Sequence, residues 1–285
     1  MKQKTLLLLS LLVLSGCNNT RNPDVVVTSF VGYDAVLNIV GNKIDVKNIL
    51  PWGSELHDFE PTPRDVAAIN NAKLFVYTSP ELDTWVKSLV TNENSFNMSE
   101  WAIIEELIED SDNHSHNHNH DSLHFWTDPL IHVRVMSNLL NVISDIFPAN
   151  SAYFTDNYDA YTEELLTLEN ELQTFLNQIE DPTIFFAGHN ALSYFADHFN
   201  MTIKTINESY KPDVDFVSQE IIDFINEIKT ANVHYLFIEE LVEPRVANLI
   251  KNELAKENYD ITLLELHGYH NITAQQAKEN VTYAD

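Results

Sequence analysis

The chain has 285 residues, with 16 Lys+Arg against 43 Asp+Glu, a formal net charge of −27, twelve His and a single Cys. At 44% apolar and 11% aromatic it is too hydrophobic for a disordered chain, and its length allows one large or two ordinary domains with proper cores. A surface this acidic repels phosphate backbones and excludes nucleic acid as a partner, while one Cys excludes intramolecular disulfides and thiolate zinc sites.

Residues 1–16 carry Lys2 and Lys4 ahead of an apolar run from Leu6 to Leu14, interrupted only by Ser10. That run is short of the roughly 20 apolar residues a spanning helix needs, and it suits a signal peptide. The run ends Leu14-Ser15-Gly16-Cys17, which resembles the lipobox of bacterial lipoproteins. The resemblance implies cleavage before Cys17 and lipid attachment to its sulfur. Residues 17–24 are polar and read as a tether, so the expected product is an extracytoplasmic body anchored to a membrane.

From Val25 the pattern alternates. VVVTSFV reads as a buried strand, Tyr33 to Val40 as a helix, and Ile44 to Leu50 as a second strand stopped by Pro51. Thr62-Pro63-Arg64-Asp65 is a helix start, with Thr as N-cap, Pro at the first position and an acid in the first turn. KLFVYT at 73–78 is a third strand and Leu82 to Val90 a helix. The second half repeats the order, with strands at 183–187, 201–206, 233–238 and 261–266 and helices from Asn190, around 216–229 and at 244–256. Such β-α alternation predicts an α/β fold with parallel sheets flanked by helices.

Between the halves, Phe154, Tyr158, Tyr161, Leu165, Leu168, Leu172, Phe175 and Ile179 recur at heptad spacing, with no Gly or Pro from Ser151 to Asp181. About 29 residues make a rod of roughly 43 Å. A coiled-coil dimer is one reading of this stripe. A strut inside a monomer, packed across two lobes, is the preferred one. The expected plan is an N-terminal lobe over 25–149, a linking helix over 150–181 and a C-terminal lobe over 182–285.

The histidines are unevenly placed. His114, His116, His118 and His120 alternate with Ser and Asn inside segment 112–124, which has no apolar periodicity and reads as a loop that captures metal with little selectivity. His57, His189, His267 and His270 follow predicted strands, and His124 closes the His-rich segment before a helix opening at Asp128-Pro129. Parallel sheets place ligands at the carboxyl ends of their strands, so a cleft between two lobes could collect these side chains. Asp128 reads as a helix N-cap, Trp126 as a packing residue, and His132, His198 and His234 as structural.

Pro51-Trp52-Gly53 through His57-Asp58-Phe59-Glu60-Pro61-Thr62-Pro63, His124-Phe125-Trp126-Thr127-Asp128-Pro129, and Gly188-His189-Asn190-Ala191 through Tyr194-Phe195 together resemble the zinc/manganese solute-binding lipoproteins of bacterial ABC importers, the ZnuA/TroA-like group. The resemblance runs from about Val25 to Tyr283. It implies two α/β lobes bridged by a long backbone helix, a metal cleft between them, and no enzymatic activity. His57, His124 and His189 fall on the first three ligand positions. The fourth falls on His270, with Glu265 or His267 as alternatives, and Glu60 is either a hydrogen-bond acceptor for a ligand or a surface acid. Members usually continue into a C-terminal helix. Against that pattern the expectation at Asp285 is either a truncated sequence or a second lobe lacking its covering helix.

Four imidazoles suit Zn²⁺, which accepts tetrahedral nitrogen ligands, better than Mn²⁺, which favours oxygen. The implied partners are a membrane permease with its cytoplasmic ATPase. Two other functions share these residues: a surface adhesin on the same scaffold, and a zinc hydrolase with Glu60 as base.

Overall fold

The computed structural model describes residues 22–102, 123–207 and 218–285. The proposed lipidation site Cys17 and the histidines at 114, 116, 118 and 120 lie outside these residues.

The N-terminal half builds β1 (Val25–Val27), α1 (Phe30–Val40), β2 (Val46–Asn48), α2 (Pro63–Asn71), β3 (Leu74–Tyr77), α3 (Val86–Leu89) and β4 (Ser95–Asn97). Its four strands pair in parallel in the order β2-β1-β3-β4. VVVTSFV is shorter as a strand than its apolar run predicts. Ser29 caps α1 by accepting from the Gly32 N–H, so Phe30 and Val31 are already helical. At Thr62 the expected helix start holds, with a full capping box closed by Asp65. β4 was not legible, because three residues are too few to show alternation.

Two helices follow, α4 (Pro129–Ile146) and α5 (Ser151–Leu176). Asp128 caps α4, its carboxylate accepting from the Leu130 and Ile131 N–H groups at 2.7 and 3.1 Å. α5 has 26 residues rather than the predicted 29 or so. Tightened bonds from Gln178 N to Phe175 O and from Ile179 N to Leu176 O close it before Pro182. Its stripe is only partly used. Phe154, Tyr161 and Leu165 are buried in the N-terminal core, while Leu168 is 40% and Phe175 59% exposed. A straight helix drifts about 20° per heptad, so a strict heptad stripe walks off the buried face, and Leu176 is buried in place of Phe175. Beyond Leu165 the helix borders a cavity of about 360 Å³ facing the C-terminal lobe, shared with Leu192, Phe195 and Leu266.

The C-terminal half follows the predicted order: β5 (Thr183–His189), α6 (Ser193–His198), β6 (Thr202–Asn207), α7 (Ser218–Thr230), β7 (Tyr235–Glu239), α8 (Arg245–Lys256) and β8 (Thr262–Leu266), then a short α9 (Ala274–Glu279). The strands run parallel in the order β6-β5-β7-β8. α7 and α8 close one face through Phe224, Ile228, Ile250 and Leu254. The molecule is thus two parallel α/β lobes joined by one long helix.

His198 ties three of these elements together. Its Nδ1 lies 3.3 Å from Asp128 Oδ1 at the α4 N-cap, and its Nε2 3.0 Å from Glu169 Oε1 on α5. The Asp128 hydrogen bond raises its pKa, burial opposes this, and Glu169 adds to the rise. A raised folded pKa means that the contact contributes fully below the ordinary histidine value and is lost as pH climbs through the raised one. Replacing His198 with Gln should therefore cost about 1 kcal/mol or less at pH 6. That cost should shrink towards pH 9 in urea unfolding of the metal-free protein, and a pH-independent difference would show that His198 acts by packing alone.

Candidate metal centre

The carboxyl ends of both sheets face one cleft. His57 sits in the loop after β2, His124 in the segment leading into α4, His189 at the end of β5 and His270 in the loop after β8. Their nearest donor atoms all lie within 4.8 Å of one another. His124 Nε2 is 3.4 Å from His57 Nε2 and 3.3 Å from His189 Nε2. Four nitrogens placed 2.0–2.1 Å from a central ion stand about 3.3–3.4 Å apart along the edges of a tetrahedron. Ring centroids of every pair among the four are 4.8–5.6 Å apart. His124, His189 and His270 are buried, and His57 is half-buried on the open side. His270 Nε2 is buried with no hydrogen-bond partner, a state that a cation would relieve.

Two carboxylates stand behind these rings. β7 lies between β5 and β8, so the acids at its carboxyl end reach both neighbours. Glu239 Oε1 is 2.7 Å from His189 Nδ1. Glu240 Oε1 is 3.1 Å from His270 Nδ1, and its Oε2 accepts from the Gly268 N–H at 2.9 Å. A carboxylate that accepts a hydrogen bond from Nδ1–H, as Glu240 can from His270, fixes the tautomer and leaves Nε2 with a free lone pair facing the cluster. The two acids behind the rings bring acidic groups to a pocket of imidazoles, which complements a divalent ion.

The titration behaviour follows from burial and these partners. Desolvation, then the neighbouring His270, His189 and His57, pushes His124 well below the ordinary histidine value. Burial also works to lower His270, but the hydrogen bond and charge of Glu240, with Glu239 and Glu55, outweigh it and raise its pKa. Burial would raise Glu240, yet the hydrogen bond and charge of His270, then the Gly268 N–H and His267, bring it down to about 2.

Of the other residues singled out in the sequence, Glu60 is exposed and lies outside the group of four. Glu265 is exposed on β8, and His267 is half-buried with Nε2 3.5 Å from Glu265 Oε1 and Nδ1 4.0 Å from Glu240 Oε1. Neither joins the four. His132 is buried and stacks on Tyr283, and His234 stacks on Tyr259 at the surface. Glu239 and Glu240 escaped sequence reasoning. Their signal was present: adjacent acids at the carboxyl end of a predicted parallel strand.

A family model described as "Zinc-uptake complex component A periplasmic" matches residues 25–284. The chain belongs to this ZnuA family. It is 28% identical over 254 residues to the high-affinity zinc uptake system protein ZnuA of Bacillus subtilis, covering 85% of this chain and 78% of that protein. It is 25% identical over 295 residues to the metal ABC transporter substrate-binding lipoprotein SsaB of Streptococcus sanguinis, covering 98% and 92%. The crystal structure of the metal-dependent lipoprotein YcdH from Bacillus subtilis superposes with a TM-score of 0.74 at 25% identity, covering 92% of this chain and 93% of that one. ZnuA-family proteins are solute-binding proteins rather than enzymes, and the two-lobed architecture described above is theirs.

Proposed function

We propose that the protein is the extracytoplasmic zinc-capturing component of an ABC importer, with His57, His124, His189 and His270 binding Zn²⁺ as cargo in the cleft. The four-imidazole cluster, with donor atoms within 4.8 Å of one another and His124 Nε2 at tetrahedral-edge distance from the Nε2 atoms of His57 and His189, carries this reading. Zinc is favoured over manganese because no carboxylate belongs to the group of four. His57 and His124 come from one lobe and His189 and His270 from the other, so an ion held by all four couples metal occupancy to lobe geometry. A membrane permease with its cytoplasmic ATPase reads that geometry and accepts the ion. Lipid on Cys17 keeps the protein at the membrane, and the histidines at 114, 116, 118 and 120 gather metal. The adhesin reading has behind it only the names of laminin-binding structural neighbours and is not favoured over zinc capture, and the hydrolase reading has no observation of its own.

The test is growth of cells lacking their own copy in medium where a chelator limits zinc. The intact protein should restore growth and zinc uptake, whereas a His124→Ala form made at the same level should not. Equal rescue by both forms would overturn the proposal.

A further inference from the structure

Trp126 is fully buried between the lobes, two residues from His124. Its indole Nε1–H donates to the carbonyl of Gly268 at 2.7 Å, joining positions 142 residues apart. The indole also packs edge-on against His124 and His270, at 5.2 and 5.6 Å between ring centroids. Its own carbonyl accepts from the Tyr283 hydroxyl at 2.7 Å. Gly268 in turn leads straight to the cluster, because Glu240 binds both the Gly268 N–H and His270 Nδ1.

The loop that carries His270 needs such a hold. It lies outside the helices and strands, and Tyr269 adopts φ +57°, a left-handed conformation that is unfavourable for a side-chain-bearing residue. Packing at Gly268 is tight: a Cβ there would stand 2.7 Å from His270 Cε1. A shift of Gly268 is thus passed directly to the His270 ring. On the far side, Asn271 Nδ2 donates to the carbonyls of Pro51 and Ser54 at 2.8 and 2.9 Å, fastening the same loop to the one that carries His57.

We propose that Trp126 is a positioning residue whose indole N–H, through the Gly268 carbonyl, sets His270 against His124 so that the ion meets a site already assembled across the lobes. This rests on His270 being a zinc ligand. Trp126→Phe keeps an aromatic ring in the pocket but removes the donor together with the pyrrole part of the buried indole, leaving the Gly268 carbonyl unpaired. Zinc affinity, measured by chelator competition, should fall roughly 10- to 100-fold. The visible d–d bands of the Co²⁺-loaded variant should weaken as water replaces a displaced imidazole, a change that loss of general stability would not produce.

The decisive design is a cycle with His270→Ala. If Trp126 acts through His270, Trp126→Phe adds no further affinity loss in the His270→Ala background. A full additional loss there, or wild-type affinity and cobalt spectrum in the single Trp126→Phe variant, overturns the proposal while leaving His270 as a ligand. Unchanged zinc affinity in His270→Ala would instead overturn the ligand assignment and this inference with it. Should Trp126→Phe fail to fold, Tyr283→Phe removes the hydroxyl that fixes the Trp126 carbonyl. It should give a smaller loss with the same dependence on His270, and no loss at all would count against the proposal.

Discussion

Replacing His124 with Ala lowers zinc affinity by roughly a hundred- to a thousandfold. Four-ligand zinc sites bind with about 10–16 kcal/mol in all, so one ligand accounts for roughly 3–4 kcal/mol. His124 is the ligand of choice for this test because it touches two of the other three: its Nε2 is within 3.4 Å of both His57 Nε2 and His189 Nε2. Burial also keeps it uncharged near neutral pH, so its removal deletes a metal contact without deleting an ion pair. Zinc should raise the melting temperature of the wild-type protein through linkage and leave that of the variant nearly unmoved at the same free zinc concentration. Wild-type affinity in His124→Ala would remove this residue from the site.

The second large effect belongs to the carboxylates behind the rings. Glu240→Gln and Glu239→Gln should each weaken zinc binding roughly 10- to 100-fold, the range seen when a partner of a ligand histidine is lost. Glutamine keeps the size and one acceptor of the original side chain but removes the charge that faces Nδ1. Glu240 should matter more, since it bonds both Gly268 and His270 while Glu239 serves His189 and its backbone. Affinities measured on both single variants, beside thermal unfolding of the metal-free forms, separate the two possible roles. If unfolding changes while affinity stays at the wild-type level, these acids serve the fold and not the metal.

The fold was legible where residues had to satisfy strong local rules. Parallel strands buried on both faces read as apolar runs, and Thr62 and Asp128 announced their helices by capping chemistry. The second lobe's strands and helices fell close to their predicted places for the same reason. Reading failed where geometry rather than composition decides. The far half of α5 follows a heptad pattern that a straight helix cannot keep on one face, so Leu168 and Phe175 stand exposed. β4 is too short to carry a period.

The same division holds at the site. Histidines after strand ends could be picked out one by one, but their convergence depends on how two lobes face each other, which no local pattern records. Glu239 and Glu240 look like ordinary acids in sequence and acquire meaning only because β7 lies between the strands leading to His189 and His270. Trp126 likewise reads as packing until its N–H is seen to reach Gly268 in the other lobe.

The most direct measurement is zinc affinity by chelator competition on the purified protein at pH 7.5 and again at pH 5. Zinc must displace the protons of its imidazoles, and a histidine at the ordinary value of 6.5 costs about 30-fold in affinity at pH 5. His270, whose pKa is raised, costs at least that, while His124 adds little because it is already neutral. One tight equivalent at pH 7.5 that weakens by well over an order of magnitude at pH 5 is the expected result. Equal affinity at the two pH values would contradict a site built from four imidazoles.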